Sequence, residues 1–303
     1  MTIDGVFLSG TTENGMPFYQ LVFDTPIQIS APFKSKEVLE RAQLEKYRRD
    51  HLLHFGFVPF EDVKRGNDPP DFIVQRTQGD WRIDCAALAL EGRRLAEALF
   101  HRLVKRLAER GNSAWSTLAG CDVSVTFQSP KQLPPAKHDA SLDVELEAAL
   151  ESIVIDHARL AQFSAEVDRD GWPSQWPSDV SIPQFEHECF SLLANPVPNW
   201  RPRDQLSASL GFHLNLQFSV TLHEVSSAVN RMVTQHDNPA TQQLLLSIGG
   251  PGLNGYCYPA ESILGEILRN NPLQQVEAHY IERVTAHVWE TGDIIDIPIA
   301  RPK

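Results

Sequence analysis

Cysteine is scarce in this sequence, long apolar runs and an excess of positive charge are missing, and each shortage narrows what the chain can be. Four cysteines occur in 303 residues, Cys85, Cys121, Cys189 and Cys257, and no two form a Cys-x-x-Cys pair. That spacing speaks against a zinc ribbon or a disulfide framework and fits free thiols in a reducing compartment. Apolar stretches such as CAALAL and QQLLLSI stop far short of the roughly 20 residues of a membrane-spanning helix. The opening residues MTIDGVFLSGTTENG lack a basic segment followed by an apolar one, so no secretory signal is expected. A soluble, cytoplasmic protein without a membrane partner is the reading. Repeats and low-complexity tracts are absent as well, and a hydrophobic content of 42% suffices for a sizeable core.

The net charge is -12, unevenly spread. Up to Pro135 there are 17 Lys/Arg against 17 Asp/Glu; the remainder holds 10 against 22. A general polyanion binder is excluded, because phosphate binding rests on neutralisation by Lys and Arg. Any nucleic-acid surface is expected on the neutral first half, and the acidic second half is a candidate surface for a protein partner.

Hydrophobic spacing and punctuation predict an alternation of helices and strands. Residues 1–33 read as a lead-in, irregular or strand-containing. Lys34 to His54 is free of Gly and Pro and rich in Leu, Glu, Lys and Arg, which predicts a helix N-capped by Ser35. After the loop RGNDPP come two strands, DFIVQRT and WRIDCAAL, separated by the turn QGD, the pattern of a hairpin. Leu95, Leu99, Leu103 and Leu107 recur every fourth position from Glu91 to Arg110 and stop at Gly111, which predicts a helix packed on the hairpin's sheet. Further on, CDVSVTFQ, Phe185–Leu193, FHLNLQFSV, QQLLLSI, RVTAHVW and IIDIPIA read as strands. Leu142–Phe163, Glu224–His236 and Glu261–Arg269 read as helices. The class is α/β (α+β), a mixed sheet flanked by helices.

Chemistry concentrates in PPDFIVQRTQGDWRIDCAAL. Asp71 opens one strand of the hairpin and Asp84 lies in the next, an arrangement that can bring two carboxylates to one end of a sheet. Paired carboxylates suit Mg²⁺, which accepts one or two of them and shares phosphate oxygens with a substrate. The preceding helix offers Glu37, Glu40 and Glu45 as further acids. The bland alternative is a loop-to-strand junction with a solvent-facing Asp.

The order of helix, loop, PPDF, turn, acidic strand and long helix, over Lys34 to Gln128, resembles the PD-(D/E)XK (restriction-endonuclease-like) nuclease superfamily. The resemblance implies a nuclease-like core over 34–135 and an acidic α/β extension over 136–303, continuous with the same sheet or not. It implies that Asp71 and Asp84 bind the metal, with Glu40 as the helix acid. The family's lysine position is held here by Ala86, which carries no charge. Arg93 and Arg94 on the following helix are the nearest replacements, and Ala86→Lys is expected to restore the pattern. The activity implied is metal-dependent hydrolysis of nucleic-acid phosphodiesters, or a catalytically impaired descendant; the alternative is a non-catalytic interaction subunit.

Other features carry less. Arg93, Arg94, Arg102, Lys105, Arg106 and Arg110 make the helix after the hairpin basic, either as a solvated face or as phosphate contacts. GPGLNG, with Gly250, Gly252 and Gly255, matches a phosphate-loop pattern, but Pro251 and the lack of a following acidic strand favour a turn. Glu186, His187, Glu188 and Cys189 lack zinc-ligand spacing. His51 and His54 share a helix face without a third ligand.

Overall fold

The structure is a computed structural model that describes residues 6–11, 17–23, 27–77, 79–90, 93–127, 141–171, 173, 184–197, 200–202, 205–253, 255–271, 273 and 275–302. Two six-stranded sheets and two small two-stranded ones organise the chain.

The sheet that carries Asp84 begins with helix α1 (Lys36–Phe55). Ser35 caps it by accepting from the Val38 N–H, as expected, and Gly56 ends it at φ 77°, a left-handed position that favours glycine. Three antiparallel strands follow, which we number β4 (Val63–Arg65), β5 (Phe72–Arg76) and β6 (Gly79–Ala87), since β1 (Val6–Thr11), β2 (Pro17–Phe23) and β3 (Ile27–Gln28) precede them. The predicted hairpin is therefore present, with Phe72 opposite Ile83. The next strands of this sheet arrive only after a long excursion. Helix α6 (Leu222–His236) leads into β11 (Gln243–Ile248), which lies parallel to β6. Helix α7 (Ile263–Asn270) then leads to β14 (Arg283–Val288), parallel to β11, and β15 (Ile294–Ile297) closes the edge.

Alternation along β6 assigns its two faces. Ile83 and Cys85 pack under α1 with Leu44, Tyr47, Phe72 and Val74. Ala86 turns the other way, into a cluster with Val225 and Val229 of α6 and Leu264 of α7. Asp84 shares that second face.

The excursion builds the other sheet, in the order β1-β2-β10-β7-β9-β8. Its members are β7 (Cys121–Phe127), β8 (Gln184–Glu186), β9 (Phe190–Pro196) and β10 (His213–Thr221), with the lead-in supplying β1 and β2. Here the structure departs from expectation. Helix α2 (Arg93–Arg110) packs Leu99, Leu103 and Leu107 against Val123, Val125 and Leu214 of this sheet, not on the Asp84 sheet; the side chain of Leu95 lies outside the described residues. Strand β7, also expected beside the hairpin, lies in this sheet too. The segment 34–135 is thus shared between the two sheets, because the apolar faces of α2 and β7 match each other and α6 covers the face of β6 that α2 was expected to cover.

The helix expected over Leu142–Phe163 is two, α3 (Ser141–Ser152) and α4 (His157–Asp170). Ile153 and Ile155 are buried between them, and Asp156 restarts the helix by accepting from the Arg159 N–H at 2.9 Å. The remaining pieces are α5 (Gln205–Leu210), β12 (Tyr256–Cys257), β13 (Val276–Glu277) and β16 (Ile299–Ala300). Among the described residues, no helix is long and apolar enough to cross a membrane.

Candidate functional site

The β5–β6 hairpin brings Asp71 and Asp84 together. The two residues flank the Phe72–Ile83 pair, and the Cys85 N–H donates to Asp71 Oδ2 at 2.8 Å. Both carboxyls are buried, at 1% and 4% exposure. Asp68, on the loop before β5, adds a third carboxylate. One oxygen from each of Asp68, Asp71 and Asp84 lies within 4.8 Å of the others. Asp68 has φ 43°, a left-handed conformation that Asp tolerates better than most residues.

Helix α1 contributes Glu40, 3% exposed. Arg65 of β4 binds across two acids, with Nη1 donating to Glu40 Oε2 at 2.9 Å and Nη2 lying 3.7 Å from Asp71 Oδ1. Lys36, one helical turn before Glu40, places Nζ 3.0 Å from Glu40 Oε1, an ion pair outside hydrogen-bond geometry. Glu40 Oε1 and Asp71 Oδ1 are buried and take no hydrogen bond among the described residues. Buried carboxylate oxygens without donors are costly. A hard cation with oxygen ligands removes that cost, so the donor set fits a divalent ion.

From the opposite side, α6 ends at His236, whose Nδ1 stands 2.7 Å from Asp84 Oδ2. Burial raises both aspartates, but unequally in outcome. Asp71 is pushed up to about 7 by burial, with Asp84 and Glu40 adding to the rise against the Cys85 amide. For Asp84 the hydrogen bonds from His236 and Asp71 outweigh burial and hold its carboxyl below the usual range. In the absence of a cation the pair therefore holds one proton, on Asp71, below about pH 7 and releases it as pH rises through that value. Glu40 beside it raises the Lys36 amine, which stays charged.

No family model, curated protein or solved structure matches this chain. The site is read from its own geometry.

Of the residues expected at this site, Asp71, Asp84 and Glu40 come together; the described basic side chains after the hairpin do not join them. Arg94 donates twice to the fully buried Glu261, at 3.1 and 3.2 Å, and lies over the Tyr258 ring. Arg102 pairs with Asp143 at 3.3 Å, Arg106 with Glu147 at 2.7 Å, and Arg110 with Glu147 and Glu151. The acids of α3 thus neutralise the arginines of α2, and part of the second half's negative charge is spent internally. Lys105 is exposed on the same helix, and the side chain of Arg93 lies outside the described residues.

The weaker candidates have structural explanations. At Gly250 an added Cβ would meet Ser247 Oγ at 3.0 Å and the Trp289 ring at 3.3 Å, so this glycine answers a close packing requirement. His187 stacks on Phe190 and pairs with Glu145 at 3.4 Å. His51 is buried with Nδ1 3.0 Å from the Phe57 carbonyl.

Sequence reasoning missed Lys36, Arg65, Asp68 and His236. Two of these had a local signal: Lys36 precedes Glu40 by four positions on a helix, and Asp68 precedes Asp71 by three. Arg65 and His236 had none, because strand pairing and the α6 crossover bring them in.

Proposed function

We propose that this protein hydrolyses nucleic-acid phosphodiesters at a divalent-metal site of PD-(D/E)XK type. The supporting observation is a cluster in which Asp68, Asp71 and Asp84 each offer an oxygen within 4.8 Å of the others and the buried Asp71 Oδ1 takes no hydrogen bond among the described residues. Helix α1 and the antiparallel strands β4-β5-β6 keep the first part of the order on which the resemblance rests, whereas its last part, α2 and β7, belongs to the other sheet. Asp71, Asp84 and Asp68 would hold the ion, taken as Mg²⁺, with Glu40 behind them. When bound, such an ion supplies Lewis acidity that lowers the pKa of a water and offsets phosphate charge.

The chain's own residues divide the remaining work. Arg65 fixes the Glu40 carboxylate against Asp71. Lys36 replaces the lysine absent at Ala86: its side chain is 64% exposed, against 4% for Glu40, so the ammonium, though paired with Glu40, stays open to an incoming phosphate. A charged donor aimed at developing phosphate charge contributes electrostatic stabilisation in the transition state. The cytoplasm, where nucleic acid and Mg²⁺ are both present, is a compartment that suits this activity.

A second reading has one observation in its favour. Arg65 already compensates Glu40 and approaches Asp71, as a charge-balanced structural site in an inactive, protein-binding descendant would. Cleavage of single- and double-stranded DNA and RNA with Mg²⁺ or Mn²⁺ separates the two. Metal-dependent cleavage lost in Asp84→Asn supports hydrolysis. Full activity in Asp84→Asn, or cleavage in EDTA, overturns the mechanism, and inactivity together with no Mn²⁺ binding favours the second reading.

A further inference from the structure

The residue that reaches Asp84 from farthest along the chain is His236, and nothing in the hydrolytic reading yet uses it. Its position is held on both sides. The Asn238 side-chain amide donates to the His236 carbonyl at 2.9 Å and to Thr241 Oγ1 at 3.1 Å. Asp237 accepts the backbone N–H groups of His279, Tyr280 and Ile281 at 2.6 to 3.0 Å. At the other end of α6, Thr221 and Glu224 form a reciprocal capping box. A histidine at a frayed helix end would sample many rotamers; this one sits on a helix secured at both termini.

That anchoring bears on Asp84. A strand aspartate can rotate its carboxylate about χ2, a broad torsion. The 2.7 Å bond from His236 Nδ1 occupies Oδ2 and leaves Oδ1 as the oxygen His236 does not take. We propose that His236 is the positioning residue of the cation site: by holding Asp84 Oδ2, it orients the carboxylate toward Asp71 and Asp68 and sets the affinity for a divalent ion. The inference rests on the reading of the acid cluster as a metal site and adds a residue that touches no ligand of its own. Outer partners of metal-binding carboxylates act in this way, by fixing orientation before the ion arrives.

The bond's chemistry dictates the variants. His236→Ala removes the donor. His236→Asn keeps one, because the Asn side-chain nitrogen occupies nearly the place of Nδ1 and donates to a carboxylate. His236→Gln puts its amide one bond farther out and serves as a misplaced donor. Mn²⁺ binding to the full chain, by titration calorimetry and by the Mn²⁺ electron-spin-resonance signal, gives the affinity without any substrate, and Asp84→Asn identifies the signal that belongs to this site. Melting in EDTA reports folding separately.

The expected result is a loss of Mn²⁺ affinity of roughly 10- to 100-fold in His236→Ala, most of it restored in His236→Asn but not in His236→Gln, with all three variants folded. Unchanged affinity in His236→Ala overturns the inference and leaves the metal site standing. So does His236→Asn binding no better than His236→Ala, which would make bulk and not the hydrogen bond the cause. If the wild-type chain takes up no Mn²⁺, the metal-site reading fails, and this inference fails with it.

Discussion

His236 follows Asp84 by 152 positions, yet its Nδ1 lies 2.7 Å from Asp84 Oδ2. The contact ties the helix that leaves the second sheet to the acid pair on the first. Through it, the long excursion between β6 and β11 becomes part of how the site is held.

Lys36 is the charged donor expected to replace the lysine missing at Ala86. Lys36→Ala should lower single-turnover cleavage by on the order of 10²–10³ while leaving Mn²⁺ affinity nearly unchanged, since its amine contacts Glu40 and no aspartate. An equal loss of metal binding would instead make Lys36 a structural counter-ion.

Ala86→Lys, the change expected from the sequence to restore the family pattern, meets a packed cluster. Ala86 is 9% exposed and lies with Val225, Val229 and Leu246. Overpacking alone costs about 1–3 kcal/mol, and an ammonium among these side chains adds desolvation. The variant should melt earlier than wild type and gain no activity; higher activity at unchanged stability would show that a lysine there can reach the site.

Asp71 gives the site a pH signature in the absence of metal. Its folded pKa of about 7 stands above the 3.8 of an ordinary aspartate, so the folded chain holds this proton more tightly than the unfolded one. The contribution to stability is complete below about pH 4 and is lost as pH rises through 7. Asp71→Asn imitates the protonated carboxyl at every pH. In EDTA its melting temperature, relative to wild type, should climb steadily from pH 4 to 8; a pH-independent offset would contradict the raised pKa.

His287 works in the opposite sense. It is fully buried, its Nε2 stands 2.8 Å from Asp50 Oδ2, and burial pulls its pKa from 6.5 down to about 4 in spite of that carboxylate. Lys46 binds the same Asp50 oxygen at 2.5 Å. A histidine depressed in the fold contributes stability above pH 6.5 that disappears as pH falls toward 4. His287→Gln, which retains a donor for Asp50, should flatten the loss of melting temperature over that window. An unaltered acid limb would assign the sensitivity to other groups.

Arg102 and Arg106 invite a test of the basic helix. Reversing both charges places acids opposite Asp143 and Glu147 and should lower the melting temperature. Asp143 and Glu147 are themselves buried, so the drop combines two carboxylates left without their partners with the new repulsion. Nucleic-acid affinity and its salt dependence should stay as they were. A flattened salt slope would return α2 to the role of phosphate-binding surface.

Local patterns determined what lay within reach of a few residues. Ser35 and Gly56 bracket α1, the turn signal at QGD marked the hairpin although Gly79 and Asp80 already belong to β6, and from that hairpin Asp71 and Asp84 were legible as neighbours, because antiparallel register follows from turn and alternation. Glu40 was legible as an acid on a nearby helix, though its burial was not: the covered face of α1 mixes Leu44 and Tyr47 with Glu40, Gln43 and Asp50, and so mixed a face has no hydrophobic stripe to mark it. Tertiary structure alone decided which helix covers which sheet. The leucine stripe of α2 fits any apolar sheet face equally well, and periodicity states that a face is buried but not against what. It likewise decided that the arginines of α2 meet the acids of α3, that Arg65 bridges Glu40 and Asp71, and that His236 reaches Asp84. The last depends on where the chain returns after a long excursion and the others on strand pairing and helix docking, packing outcomes that no local window of sequence contains.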